Sequence, residues 1–144
     1  MVDKALLSRK ISKLLNYISE LKLAKDITWE RYKTNKREKA FVERYIHLAI
    51  EEVFDIAGHI VSYHKWREPE NYRDVFAVLV ENKILNSKDL KAFQNMASFR
   101  NILVHQYEKI DDEIVYGIFK KKLGDFMKFT SSIETFFLKI KKNK

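Results

Sequence analysis

Scarcity of glycine and proline is the feature that most limits the folds open to this chain. Its 144 residues include three glycines and one proline, whereas 46% are hydrophobic and 33% are charged. Sheets of short strands need frequent turns, and glycine and proline are among the residues that form turns most readily. The composition therefore predicts an all-α protein, and the length predicts one helical domain over residues 1–144.

Hydrophobic residues recur at helical spacing in the first part of the chain. Those of the first predicted helix, from about Asp3 to Ala24, are Leu7, Ile11, Leu14, Ile18 and Leu21. Steps of four and three place these residues on one face. Asn35 followed by Glu38 resembles a capping box and predicts the start of a second helix over 36–65.

This second helix has two overlapping apolar stripes. One contains Phe41, Tyr45, Leu48, Ile56 and Ile60, and the other contains Val42, Ile46, Ala49, Val53 and Ala57. A helix with so much apolar surface contacts neighbours on more than one side. We therefore predict that it is the central helix of a bundle and that it also buries a subunit interface in a homodimer.

The remaining segments predict further helices. Pro69 interrupts the chain between Trp66 and Asn71, and a short helix is expected over Tyr72–Glu81. Ser87 is the predicted N-cap of the next helix, and Asp111 that of another. The residues expected to face the core are Leu90, Phe93, Met96 and Ala97, followed by Leu123, Phe126, Thr130, Ile133, Phe137 and Ile140 of a long closing helix from Phe119 onward. The prediction is an up-and-down bundle with long helices and one or two short ones.

The charge of the chain indicates a phosphate-rich partner. A net charge of +8 and a pI near 9.5 favour nucleic acid through non-specific electrostatic attraction. The candidate RNA-facing residues are Arg31, Lys33, Lys36 and Arg37, which are interleaved with Tyr32. A basic tail over about 139–144 is expected to be a solvated helix end.

Cysteine content and hydropathy exclude several classes of protein. Without cysteine, the chain has no disulfide framework and no thiolate zinc site. The sequence contains no apolar run typical of a signal peptide and no segment of membrane-spanning length. We therefore expect a cytoplasmic protein with no membrane partner.

The octet from Arg100 to Tyr107 combines a cation, an amide, an imidazole and a phenol. Arginine is a permanent, forked donor to phosphate oxygens, and histidine acts as an acid or base near neutral pH. On a straight helix, however, positions 100 and 105 diverge by about 140°. Either the helix unwinds near Val104, or two copies of the chain share a composite cleft.

A second polar series occupies the long helix, at steps of four: His47, Glu51, Asp55 and His59. Metal binding is one interpretation, but bundle di-metal sites combine Glu-x-x-His pairs from several helices, and the sequence has no matching carboxylate set. We therefore predict neither a metal nor another cofactor. Glu51, Asp55 and His59 either support the cleft, where Glu51 or Asp55 pairs with Arg100 or orients His105, or form solvated pairs.

The octet and its surroundings resemble the HEPN superfamily, specifically its HepT-like branch. Arg100, Asn101, His105 and Tyr107 match the signature Arg-Asn-x-x-x-His-x-Tyr, and the similarity covers roughly residues 5 to 135. The resemblance implies a dimeric all-α bundle and a metal-independent endoribonuclease that is the toxin of a toxin–antitoxin pair. It also implies a cognate minimal nucleotidyltransferase antitoxin that neutralises the toxin by transferring AMP to the motif tyrosine.

Each residue of the motif receives a role from this resemblance. Arg100 would bind the scissile phosphate, His105 would be the acid or base, Asn101 would orient the imidazole or phosphate, and Tyr107 would accept AMP. Without a metal, the substrate's own 2′-hydroxyl can attack phosphorus, so RNA and not DNA would be cut. The main alternative is a non-catalytic helical partner subunit that binds a nucleotidyltransferase or a nucleotide. A third is a structural dimer whose octet only caps a helix.

Overall fold

The computed structural model describes residues 3–105 and 111–138. Within these ranges the chain forms seven α-helices and no strand, which confirms the all-α prediction. The helices are α1 (Lys4–Leu23), α2 (Trp29–Thr34), α3 (Lys36–His64), α4 (Tyr72–Glu81), α5 (Leu90–His105), α6 (Asp112–Lys121) and α7 (Leu123–Ile133). A 3₁₀ turn over Ser87–Asp89 precedes α5, and a π-helical turn over Glu134–Leu138 follows α7.

The predicted starts of the first two long helices are confirmed. At α1, the Asp3 side chain accepts a hydrogen bond from the backbone N–H of Leu6 at 3.0 Å, and the predicted apolar stripe is buried. At α3, the Asn35 side chain accepts from the N–H groups of Arg37 and Glu38, at 3.0 and 3.1 Å. The capping box is only half formed, because the Glu38 carboxylate binds Arg31 instead of returning to Asn35.

Helix α3 is the central helix of the bundle, as predicted. It packs against α1, α2, α4, α5, α6 and α7. The stripe from Val42 to Ala57 is buried throughout, whereas Phe41, Tyr45 and Leu48 of the other stripe are half-buried. The use of this surface as a dimer interface remains a prediction.

Two sequence predictions about helix ends are wrong. Asn86, not Ser87, provides the cap before α5, since its side-chain oxygen accepts from the N–H of Lys88 at 3.0 Å. The closing helix is also not continuous from Phe119. It breaks at Lys122, where φ is −121° and ψ is 13°, and α7 starts at Leu123.

An aromatic cluster joins the middle of α3 to α4, α5 and α7. The buried ring of Phe76 on α4 lies 5.3 Å from Phe54 on α3, 5.6 Å from Phe93 on α5 and 6.4 Å from Phe129 on α7. Large buried rings contribute strongly to core stability, and offset or edge contacts add to it. This cluster stabilises the part of the bundle that carries the side chains of the candidate site.

None of the helices in residues 3–105 and 111–138 has the length and apolar content needed to cross a lipid bilayer. The predicted inward position Ile140 and the basic tail over 139–144 lie outside the described residues.

Candidate active site

The side chain of Arg100, which lies on α5, is held by a carboxylate from the middle of α3. Its Nε donates to Glu51 Oε2 at 2.7 Å, and its Nη2 is 3.5 Å from Glu51 Oε1. The Arg100 side chain is 16% exposed and the Glu51 side chain 36% exposed, so the pair is only partly screened by water. Glu51 was one of the two carboxylates that the sequence offered as a partner for Arg100.

Two aromatic rings, which the sequence analysis did not assign to the site, complete the surroundings of this guanidinium. Arg100 Cζ lies 4.3 Å from the ring centroid of Tyr72 and 6.0 Å from that of Phe54. The two rings meet edge to face, with centroids 5.0 Å apart. Tyr72 lies within the range of roughly residues 5 to 135 over which the sequence resembles the HepT-like branch, but it is outside the motif.

Tyr72 is the first residue of α4, and a hydrogen-bonded network fixes this end of the helix. The Asn71 side chain caps α4 by accepting from the N–H of Asp74 at 2.9 Å. Arg67 donates twice to Asp74, at 2.7 and 2.9 Å, and twice to Glu81, at 2.9 and 2.8 Å. These bonds with Arg67 lower the pKa of Asp74 to about 2 and also lower the pKa of Glu81.

A second set of bonds joins α4 to α5 close to Arg100. Arg73 Nη1 donates to Ser98 Oγ at 2.7 Å and to the carbonyl oxygen of Gln94 at 3.1 Å. The Gln94 amide donates back to the carbonyl oxygen of Arg73 at 3.2 Å. Tyr72 and Arg100 therefore belong to two helices that are tied together beside them.

The other motif residues are described less completely. Asn101 is exposed on α5, and His105 is the last residue of that helix. The side chain of His105 and all of Tyr107 lie outside the described residues. Because α5 remains helical through His105, the alternative in which the helix unwinds near Val104 is wrong.

The side chains of the polar series on α3 contact two different neighbouring helices, α5 and α1. His47 Nε2 lies 3.4 Å from Glu51 Oε2, on the side that faces Arg100. Asp55 lies 3.7 Å from Lys10 Nζ of α1, and this lysine is also 3.7 Å from the buried Glu52. His59 Nε2 is buried and has no hydrogen-bond partner among the described residues. In the same ranges, no three histidine or acidic side chains are grouped closely enough to hold a metal ion.

The predicted RNA-facing cluster is helical, with only Asn35 between the two helices. Arg31 is paired with Asp26 and Glu38, whereas Lys33 is paired with Glu30 and lies 5.0 Å from the Trp29 ring. Lys36 and Arg37 are exposed in the first turn of α3. Neither side chain has an ion pair with the part of the chain that the structure describes.

Comparisons with known proteins identify a family and relatives. Residues 14–133 match the family described as Ribonuclease HepT-like. The chain is 31% identical over 84 residues to the mRNA nuclease HepT of Shewanella oneidensis, an alignment covering 58% of this chain and 63% of that protein. It is 22% identical over 137 residues to the tRNA nuclease HepT of Aphanizomenon flos-aquae, covering 95% of this chain and 93% of the relative.

A solved structure has the same fold. It is that of the tri-AMPylated Shewanella oneidensis HEPN toxin in complex with MNT antitoxin, with a TM-score of 0.79 and 24% identity. The alignment covers 90% of this chain and 96% of the toxin chain. At this identity the likeness supports the bundle architecture alone. The chain spans just under two thirds of the Shewanella nuclease that it matches in sequence.

Proposed function

The chain belongs to the Ribonuclease HepT-like family, and on that premise we propose that it is an endoribonuclease that serves as the toxin of a toxin–antitoxin pair. The observation that carries the proposal is the fixed guanidinium of Arg100. It is a permanent cation, partly exposed, and held beside the helix segment that carries Asn101 and His105. The mRNA and tRNA nucleases among its relatives support RNA as the substrate.

Arg100 is suited to bind the scissile phosphate. Glu51 occupies Nε and Nη2, whereas Nη1 makes no hydrogen bond to any of the described residues. Phosphate oxygens accept bonds from guanidinium groups, and charge-assisted bonds are stronger than neutral ones. A cation that is already oriented stabilises the negative charge that develops at phosphorus without having to reorganise during the reaction.

In the reaction that we propose, the nucleophile is the RNA's own 2′-hydroxyl. A base removes the proton of the 2′-hydroxyl, and the 2′-oxygen forms a bond to the adjacent phosphorus while the bond from phosphorus to the 5′-oxygen breaks. The departing 5′-oxygen takes a proton from an acid. The products are a 2′,3′-cyclic phosphate and a 5′-hydroxyl. We propose His105 as the acid or base, and Asn101 as the residue that orients the imidazole or the phosphate.

A homodimer supplies the geometry that one α5 helix lacks. Positions 100 and 105 diverge by about 140° on a regular helix, and α5 is helical over both. We therefore propose that Arg100 of one copy and His105 of the other meet in a composite cleft. The half-buried Phe41, Tyr45 and Leu48 on α3 are candidates for the surface that the second copy covers.

The antitoxin in this proposal is a minimal nucleotidyltransferase. A related HEPN toxin is found tri-AMPylated and in complex with an MNT antitoxin. We propose that the partner of this chain transfers AMP to Tyr107. The added phosphate and nucleoside would block the cleft through their bulk and by charge repulsion of RNA. Both proteins would act in the cytoplasm, where the proposed RNA substrate is found.

We propose a phosphate-contacting surface on the first half of α3. Of the cluster predicted from the sequence, Lys36 and Arg37 are the best candidates, because Arg31 and Lys33 are already paired. Arg44 is also exposed, and none of its contacts within the described ranges is an ion pair. Residues 37, 44 and 51 are seven apart, so Arg37, Arg44 and Glu51 share one helix face at steps of about 10.5 Å. At the Glu51 end, this face is next to Arg100, which Glu51 binds.

The test is cleavage of labelled RNA by the purified full chain in the presence of EDTA. Wild type, Arg100→Ala and His105→Ala are compared after each is shown to be folded, and Lys91→Ala, an exposed change on the same helix, is the matched control. We expect cleavage by wild type and the control only, with 2′,3′-cyclic phosphate ends. Cleavage by all four proteins, or 3′-hydroxyl and 5′-phosphate ends, would contradict the proposal.

The Arg100–Glu51 pair also fits a second function. A cation already neutralised by its own protein could serve recognition in a non-catalytic subunit that binds a nucleotidyltransferase or a nucleotide. In that case the isolated wild type cleaves none of a varied set of RNAs, and tight partner binding survives His105→Ala. The same preparations therefore distinguish the two functions.

A further inference from the structure

We propose that Tyr72 is a positioning residue for Arg100, and that its ring fixes the plane of the guanidinium for phosphate binding. The proposal rests on the function proposed above. Tyr72 is not part of the motif from Arg100 to Tyr107, and it lies 28 positions before Arg100 in the sequence. The packing of α4 against α5 brings the two side chains together.

The geometry limits the guanidinium in two different ways. Glu51 fixes one edge through Nε and Nη2, but two bonds along an edge leave the plane free to tilt about that edge. The Tyr72 ring lies against the guanidinium, with its centroid 4.3 Å from Cζ, and a ring in this position would restrict the tilt. Together they leave the Nη1 edge as the part available to an incoming phosphate.

Tyr72 is itself exposed, and a core role does not explain its position. Tyr72 is 46% exposed, although its ring contacts both Arg100 and Phe54. The start of α4, which carries this side chain, is nevertheless held in place, because Asn71 caps the helix and Arg67 binds Asp74 in its first turn. A rigid support of this kind reduces the conformational entropy that a long arginine side chain loses when it binds a ligand.

The first experiment is steady-state RNA cleavage by Tyr72→Phe and Tyr72→Leu. Because Phe retains the ring face, we expect Tyr72→Phe to stay within about twofold of wild type. Loss of the ring in Tyr72→Leu should lower kcat/KM about tenfold, which corresponds to about 1.4 kcal/mol and lies within the range of a cation–π contact. Tyr63→Leu, which removes a similarly exposed tyrosine from the end of α3, is the matched control and should behave as wild type.

The Arg100→Ala background separates positioning from a general structural role. If Tyr72 acts through Arg100, Tyr72→Leu weakens RNA binding in the wild-type background, and adding it to Arg100→Ala lowers the affinity for RNA no further. An equal additional loss in both backgrounds would overturn the proposal, as would a Tyr72→Phe variant as impaired as Tyr72→Leu.

A second readout does not depend on catalysis. The Arg100 Nε–H resonance can be assigned by its absence from the nitrogen NMR spectrum of Arg100→Ala. It should respond to the ring current of Tyr72, keep its position in Tyr72→Phe, and move towards that of an ordinary arginine in Tyr72→Leu. A resonance that Tyr72→Leu leaves unmoved overturns the positioning role. If the resonance moves but wild type cleaves no RNA, the orienting contact stands and the proposed nuclease function fails.

Discussion

Replacement of Glu51 by glutamine tests the central pair of the site, because it removes the charge while keeping the shape. The side-chain carbonyl of glutamine can still accept from Arg100 Nε, which is 2.7 Å from the carboxylate in the native protein. Arg100 keeps its charge, so the hydrogen bond remains charge-assisted, and the change removes only the attraction of the second charge, which at 4 Å is about 1 kcal/mol in water and about 4 kcal/mol at an effective dielectric constant of 20. Partial exposure of both side chains favours the lower value. We expect the free energy of unfolding to fall by about 1 kcal/mol, or roughly 3 °C in Tm.

The same change should strengthen RNA binding. A phosphate bound to the open edge of Arg100 would lie about 6 Å from the Glu51 carboxylate, where repulsion is about 0.7 kcal/mol in water and about 3 kcal/mol at an effective dielectric constant of 20. Salt favours the lower value, so we expect the Kd for RNA to fall about threefold. At the same time, kcat should fall because the guanidinium is held less firmly.

Fluorescence anisotropy with 2′-O-methyl RNA, which lacks the attacking hydroxyl, measures binding without cleavage. Glu20→Gln on α1 removes the same charge away from Arg100 and controls for the change in net charge. Arg100→Ala shows how much RNA affinity is lost when the cation is removed. If Glu51→Gln weakened RNA binding as much as Arg100→Ala does, repulsion by the carboxylate would not limit phosphate binding and the reasoning would be refuted.

Further predictions concern the α4 network, the RNA surface and the core. Asp74, whose bonds with Arg67 lower its pKa to about 2, contributes stability above about pH 4 that is lost as the pH falls through 2; thermal melts of Asp74→Asn should lie below wild type at pH 7 and converge with it near pH 2. Replacing Arg37 and Arg44 by glutamine should raise KM and reduce the salt slope of single-stranded RNA binding by about 1.4; an unchanged slope would remove them from the RNA surface. Phe76→Ala should lower the free energy of unfolding by about 3–5 kcal/mol in urea titrations; a loss under 1 kcal/mol would contradict its place in the aromatic cluster.

Local signals were sufficient to predict much of the bundle. The stripe from Leu7 to Leu21 is buried as its spacing predicts, Asn35 caps α3, and the residues around Pro69 separate α3 from α4. In each case the sequence signal lies within a few residues along the chain. Hydrophobic periodicity and capping chemistry record interactions of this range.

The break at Lys122 could not be read from the same pattern. Phe119, Leu123, Phe126 and Thr130 keep steps of four and three across it, and all are buried. The spacing of inward positions is therefore the same with or without the break. Only the backbone angles of Lys122 reveal where α6 ends.

The candidate site shows the same division between local and tertiary information. The motif around Arg100 and the polar series containing Glu51 were visible in the sequence, but several arrangements of them were open. The ring of Tyr72 became part of the site only through the packing of α4 on α5. Such contacts depend on how helices dock, and one sequence contains no periodic signal for them.

The carboxylate of Glu51 has a consequence for which anions can occupy the site. Because it lies beside the open Nη1 edge of Arg100, an incoming phosphate is repelled by an internal anion. A mononucleotide or inorganic phosphate would meet this repulsion with a single point of attachment. An RNA strand would also be held by the proposed phosphate contacts along α3, which raise the local concentration of the phosphate that reaches Arg100. We therefore expect the site to bind RNA strands in preference to small phosphates.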